Sequence, residues 1–345
     1  MEKQPLENQT LYAELLEQLR ALDAIRSIGF LEGSFVQKIV KGEPYIYFQR
    51  YDASGAKRQL YVGRKTESLS ELIAKYQQEK QEFAPDLSGI ERLCAQLRVG
   101  GALMTDHASA RVVKQLAESG VFRLGGVLVG THAYIAIGNN LGVRWEHAGI
   151  RTRDIDIASR RTAELELILP RIEVDIPSVL ESLKMGFFPI PQLDHSHPST
   201  SFMIRGNKMR IDFLTEQHGQ ETKPVYIPRF KTAAQPLLFM DFLLEEKIPS
   251  VVVDGGGVLV NVPSPARFAI HKMIIAQERT AENHVKRDKD FQQAYQVLSV
   301  LQDERPGDIT LAIENAIKRG RGWENRIYTG IKELNKRFGF LLTQR

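Results

Sequence analysis

Arg153-Asp154-Ile155-Asp156-Ile157-Ala158-Ser159 is the stretch on which the reading of this chain turns. Acids alternate with isoleucines, the period of a strand and not of a helix. Side chains two apart in a strand share a face. Asp154 and Asp156 therefore stand side by side, and Ile155 and Ile157 take the opposite face, toward a core. Adjacent carboxylates repel each other unless a cation lies between them. Mg2+, or Mn2+ in its place, suits such a pair because it prefers hard oxygen ligands. The commoner fate of Asp-x-Asp is a solvated strand face. Glu173 and Asp175 in RIEVDIP have the same spacing and are read that way. What separates the two pairs is the sequence around them.

Upstream, Val127-Leu128-Val129 reads as a short buried strand, followed by Gly130, Thr131 and the start of a helix. Amide groups at a helix N-terminus can hold phosphate oxygens, glycine permits close approach, and a threonine hydroxyl adds a donor. Such turns are common in proteins without ligands, so the signal is weak taken singly. His132 comes next and would stand near anything held there. Downstream, residues 200–215 (TSFMIRGNKMRIDFLT) read as a hairpin turning at Gly206-Asn207. Asp212 lies between Ile211 and Phe213, so its carboxylate faces away from the core. Three carboxylates on neighbouring strands could hold two metal ions, one activating a hydroxyl and one gripping a triphosphate.

The rest of the chain divides by pattern. Residues 8–28 have apolar side chains at helical spacing, and residues 34–64 contain three short strands with a turn at Ser54-Gly55. Residues 68–80 return to helix, and Pro85 reads as part of a linker, giving a small N-terminal module over 1–85. A mixed α+β core follows over 86–262, with Asn139–Ile150 as an extended loop. From 263 to 345 the chain reads as helical, with helices opening at Ser264-Pro265, near Lys286, after Asp308 and after Trp323.

Lys and Arg number 46 against 42 Asp and Glu, a net charge of +4 that permits a polyanionic partner without demanding one. Cys94 is the single cysteine, which excludes an internal disulfide and a cysteine zinc cluster. The N-terminus lacks the pattern of a signal peptide, and no apolar run reaches the roughly 18 residues of a membrane span. The expectation is a cytoplasmic protein with no membrane contact.

In order, the pieces are a hydrophobic strand, Gly-Thr, a helix, an Asp-x-Asp strand and a later strand with one Asp. This resembles the nucleotidyltransferase superfamily of DNA polymerase beta. The departures are Thr131, where Ser or Gly is usual, and 23 residues between Gly130 and Asp154, a longer gap than in compact members. VNVPSPARFAIHKMIIAQER (260–279) and KRDKDFQQAYQVL (286–298) resemble bacterial nucleotidyltransferases related to abortive-infection toxins of type IV toxin–antitoxin systems. There a Pro and a Lys on one helix precede an Arg and then a Lys-Asp pair, here Pro265, Lys272, Arg279, Lys289 and Asp290. The resemblance implies a polymerase-beta-like core, two Mg2+ ions on Asp154, Asp156 and Asp212, and an NTP such as ATP as substrate. It further implies nucleotide contacts from Gly130, Thr131, Lys272 and Arg279, with Asp290 supporting Lys272. The activity implied is transfer of a nucleoside monophosphate to a hydroxyl of RNA, tRNA, protein or nucleotide, with pyrophosphate released. A two-metal nuclease and a non-catalytic nucleic-acid-binding or toxin-type module are the alternatives.

Other segments carry weaker signals. Asp194, His195 and His197 could bind a metal but read better as a polar loop. Arg151, Arg153, Arg160 and Arg161 form a basic rim around the carboxylate strand. The N-terminal module mixes aromatic and basic residues, a pattern able to stack nucleic-acid bases but equally that of a half-buried sheet. The segment 316–326 (AIKRGRGWENR) is basic enough to meet a phosphate backbone.

Overall fold

The computed structural model describes residues 1–25, 27–51, 56–146, 152–161, 173–192, 198–206 and 208–342. In chain order the elements are β1 (Glu2–Lys3), α1 (Leu6–Ala24), β2 (Ser34–Val40), β3 (Glu43–Tyr51), β4 (Lys57–Arg64), α2 (Glu67–Val99) and α3 (His107–Glu118). Then come β5 (Val127–Val129), α4 (Gly130–Asn140), β6 (Val143–Arg144), β7 (Asp154–Ala158), α5 (Ile176–Ser182), β8 (Phe187–Pro189), β9 (Ser201–Ile204) and β10 (Arg210–Glu216). The chain continues through β11 (Val225–Ile227), β12 (Thr232–Leu237), α6 (Met240–Leu244), β13 (Lys247–Val252) and β14 (Val258–Pro263). It ends in α7 (Pro265–Gln277), α8 (His284–Glu304), α9 (Pro306–Ile317) and α10 (Arg321–Phe338).

The result is a mixed α+β protein around a central sheet of order β11-β12-β10-β7-β5. β7 and β10 are parallel, and β5 runs antiparallel to β7. The far edge of β10 is shared: its first residues pair with β9 and its last with β12. Alternation in β7 and β10 follows the sequence period, with Ile155, Ile157, Ile211 and Phe213 buried and the intervening aspartates on the other face.

Helix α4 is buried on nearly every side. Tyr134 at its centre stacks on Trp145 at 4.7 Å and on Phe268 of α7 at 6.1 Å, and its hydroxyl donates to Gln296 of α8 at 2.6 Å. Stacked pairs of this kind contribute about 0.5–1.5 kcal/mol beyond area burial. This packing fixes the C-terminal helices against the helix that follows the glycine turn.

Several boundaries differ from expectation. The helix read over 68–80 runs on to Val99, with Pro85 inside it, so no linker lies there and the boundary at 85 falls within a continuous helix. Proline costs the helix one N–H donor; burial of Ile90, Leu93, Cys94 and Leu97 beyond it offsets the loss. Asn139 and Asn140 belong to α4, and Val143–Arg144 pairs with β1, so the start of the supposed loop is ordered. The hairpin β13–β14 was not anticipated, although three valines on each side of Asp254-Gly255-Gly256-Gly257 carry its signal. The Ser54-Gly55 turn, Asn207 and the Asp194–His197 segment lie outside the described residues.

Helix α1 joins this body through a buried relay. The Val251 amide donates to the Tyr12 hydroxyl at 2.9 Å, and Ser250 Oγ donates to the Ala136 carbonyl at 3.2 Å. Tyr12 and Ser250 hydroxyls meet at 2.8 Å, so Tyr12 is the donor between them. Tyr12→Phe strands the Val251 amide and an oxygen of Ser250. Urea unfolding should show a loss of about 1–3 kcal/mol; an unchanged midpoint would show that the relay is not coupled to the fold.

Candidate active site

Strand β5 delivers the chain to Gly130, whose φ of +67° is a conformation that glycine adopts at little cost. Glycine is needed there for a second reason. A β-carbon at this position would collide with the Asp156 carboxylate, which lies against the glycine α-carbon. Val129 is directly opposite Asp156 in the β5–β7 pairing.

On the other side of β7, Asp212 pairs with Asp156 and Arg210 with Asp154. Partners at one register of a parallel pair point to the same face, so the three carboxylates share it. Asp156 is half-buried and its pKa is pushed up to about 6, first by burial and then by Asp212; Lys272 opposes the shift, Asp154 adds to it and Arg210 opposes it. Among the described residues no side chain donates a hydrogen bond to its carboxylate. Asp212 is engaged: Arg210 Nε donates to it at 2.7 Å, and the Ser201 hydroxyl donates through a short bond. Among the described residues no three His, Cys, Asp or Glu side chains are gathered closely enough to enclose a metal ion.

The C-terminal helices bring cations to this face. Lys289 of α8 donates to the Thr131 hydroxyl at 3.0 Å, immediately after the glycine. Its pKa is lowered, chiefly by burial and then by Lys272, against the raising influence of Asp290, Asp154 and Asp156. Asp290 is 5% exposed and holds two cations: Lys272 at 2.8 Å and Arg279 at 3.1 Å. A buried carboxylate with two partners fixes Lys272 in place, and removing it would leave a lysine that is itself 12% exposed without a counter-charge.

The structure thus gathers Gly130, Thr131, Asp154, Asp156, Asp212, Lys272 and Asp290, with Arg279 at the rim. Sequence reasoning gave no role to Arg210 or Ser201, and it named Lys289 only as the first member of the family's Lys-Asp pair. Arg210 carried a legible signal, since it stands two residues from Asp212 and so on the same face. His132 is 1% exposed, neither ring nitrogen has a hydrogen-bond partner among the described residues, and burial lowers its pKa to about 4, which favours the neutral ring. Burial likewise lowers the pKa of His271, to about 3. Arg161 is drawn to the Glu216 carbonyl and to Glu221, away from the site. Glu173 pairs with Lys231, and Asp175 caps α5. Two of the four cations of the 316–326 segment are spent internally, Arg319 on Asp241 and Glu245 and Arg326 on Glu278.

A nucleotidyltransferase family profile matches residues 107–318, which takes in every residue of this cluster. The chain belongs to that family. Among solved structures it is similar to an antigenic nucleotidyltransferase-like protein from Paracoccidioides brasiliensis, at 13% identity and a TM-score of 0.30, over 66% of this chain and 94% of that one. A likeness of that size adds nothing to the argument. No curated protein matches. No helix among the described residues is long and apolar enough to cross a membrane.

The cluster has a pH signature of its own. A carboxyl whose folded pKa exceeds its ordinary 3.8 binds its proton more tightly in the native state. The contribution of this one group to stability is therefore full below pH 3.8, is lost as pH rises toward about 6, and stays lost above it. With divalent cations chelated, Asp156→Asn should raise stability by about 1–3 kcal/mol at pH 7.5 and by less than about 1 kcal/mol at pH 4. An equal gain at both values would trace it to something other than charge.

Proposed function

We propose that the chain transfers a nucleoside monophosphate from a nucleoside triphosphate to an acceptor hydroxyl. The acceptor oxygen forms a bond to the α-phosphorus as the bond to the bridging oxygen breaks, and pyrophosphate departs with that electron pair. The observation that carries the reading is the placement of three carboxylates on one strand face beside the Gly130-Thr131 turn, with Lys289 and Lys272 beside them. Thr131 and the α4 amides would hold phosphate oxygens, and the two lysines would offset triphosphate charge. Asp212, which would complete the catalytic metal's ligands, would take the proton that leaves the acceptor.

The donor set suits a hard divalent cation. Asp154 and Asp156 offer oxygens, and Asp212 would join them by exchanging Arg210 for the ion. That exchange costs little, because Arg210 is 50% exposed and such ion pairs contribute about 0–1 kcal/mol. Two Mg2+ ions, or Mn2+, bound by Asp154, Asp156 and Asp212 would activate the hydroxyl and stabilise the departing pyrophosphate. A polymerase-beta-type core arrangement and a cytoplasmic setting go with this reading. The resemblance to abortive-infection enzymes favours a tRNA end or a protein side chain as acceptor.

The test is incubation with Mg2+, total RNA and protein, and each α-labelled NTP in turn. One fraction should take up label with release of pyrophosphate, and Asp154→Ala with Asp156→Ala should cut the rate by about 100-fold or more. Shortened RNA without label uptake would identify a nuclease instead. Absence of both, with no metal-dependent NTP affinity by calorimetry, would leave a binding module.

A further inference from the structure

The sheet β2–β3–β4 has one packed face and one open face. Phe35 and Phe48 turn toward Tyr76 of α2, with ring centroids 5.1 and 6.1 Å away, and Ile46 is buried. Strand alternation sends Lys38, Tyr45, Tyr47, Gln49, Gln59, Tyr61 and Arg64 to the other side, where register places Tyr47 against Tyr61 and Tyr45 against Arg64. The Tyr61 ring lies 5.6 Å from Tyr47 and 6.1 Å from Tyr45, and Tyr61 is 60% exposed. Lys38 Nζ stands 4.8 Å from the Tyr47 ring centre and the Arg64 guanidinium 5.8 Å from that of Tyr45.

Charge gives this sheet a second character. Residues 34–65 hold seven Lys and Arg against two Asp and Glu, a net +5, whereas the whole chain is +4. The remaining residues, with 39 basic and 40 acidic side chains, are net −1, so the positive balance of the protein resides in this sheet. On the open face Lys38 donates to a neutral partner, Gln59. Arg64 reaches Glu43 at 3.5 Å, both more than half exposed.

We propose that this open face binds single-stranded RNA. The exposed Tyr61 ring and the partly exposed Tyr45 and Tyr47 rings offer stacking faces to unpaired bases, and flanking Lys and Arg meet the phosphates. A duplex hides its base faces, and an apolar protein partner would have to strip water from Lys38 and Arg64. Beside the rings, the Gln59 amide donates to Gln49 at 2.9 Å, and carboxamides of this kind can meet the 2′-hydroxyls that distinguish RNA from DNA. The sheet is joined to the body by α2: Tyr76 supports it, and residues from Ile90 onward pack in the core, roughly 20 Å further along the helix. RNA capture on this face does not depend on the nucleotidyl chemistry proposed above.

The measurement is fluorescence anisotropy of the full chain with a labelled 12-nucleotide single-stranded RNA. Tyr47→Ala with Tyr61→Ala should weaken binding about tenfold or more, and Tyr47→Phe with Tyr61→Phe, which keeps the rings, should leave it within about threefold. Neutralising three or four phosphates predicts a slope of about −2 to −3 in log affinity against log salt. Asp154→Asn should bind as the wild type does, so a failed transfer reaction and a failed platform are told apart. Equal binding by the alanine pair, or equal affinity for duplex RNA or for DNA of the same sequence, would overturn the proposal, as would no binding at all.

Discussion

Asp156 is pressed against the α-carbon of Gly130 on one side and stands beside Asp212 on the other, and the arrangement of the site follows from that crowding. Only glycine leaves room for the carboxylate at the turn. Only a nearby positive charge lets it ionise cheaply, since burial and a like-charged neighbour both oppose ionisation. Arg210, Lys272 and Lys289 supply that charge from three different elements. The fold can be read as the means of bringing them there: β10 in parallel register with β7, and α7 and α8 packed against α4 through Tyr134 and Gln296.

This constraint links stability to chemistry. A cluster that would be more stable with one carboxylate neutralised is one that the proposed cation would stabilise. Arg210 plays the neutralising part toward Asp212 and is exposed enough to be exchanged. Asp290 plays the reverse part, holding Lys272 and Arg279 with a buried negative charge so that the lysine stays near the carboxylates. The two arrangements are opposite in sign and differ in permanence, one at the surface and one buried.

Much of this was legible in the sequence, for local reasons. The period of two in β7 and β10 assigned Asp154, Asp156 and Asp212 to one kind of face. Gly130 followed by a small polar residue marked a strand-to-helix turn. What escaped was tertiary or contrary to a rule of thumb. No local pattern announces that Lys289 will reach Thr131 across 158 positions, or that Ser201 will donate to Asp212. Pro85 suggests a linker because proline usually ends a helix; the apolar residues beyond it outweigh the lost hydrogen bond. Valines flanking the three glycines of β13–β14 held a hairpin signal that went unread, although that hairpin anchors Tyr12.

The central claim is that Asp154, Asp156 and Asp212 act together on a divalent cation beside a nucleotide. The most direct measurement is anomalous diffraction from crystals grown with Mn2+ and a non-hydrolysable NTP. The claim requires manganese coordinated by these carboxylates and phosphate oxygens, with Arg210 released from Asp212. Nucleotide bound elsewhere, or bound here with no manganese on the three carboxylates, would contradict it.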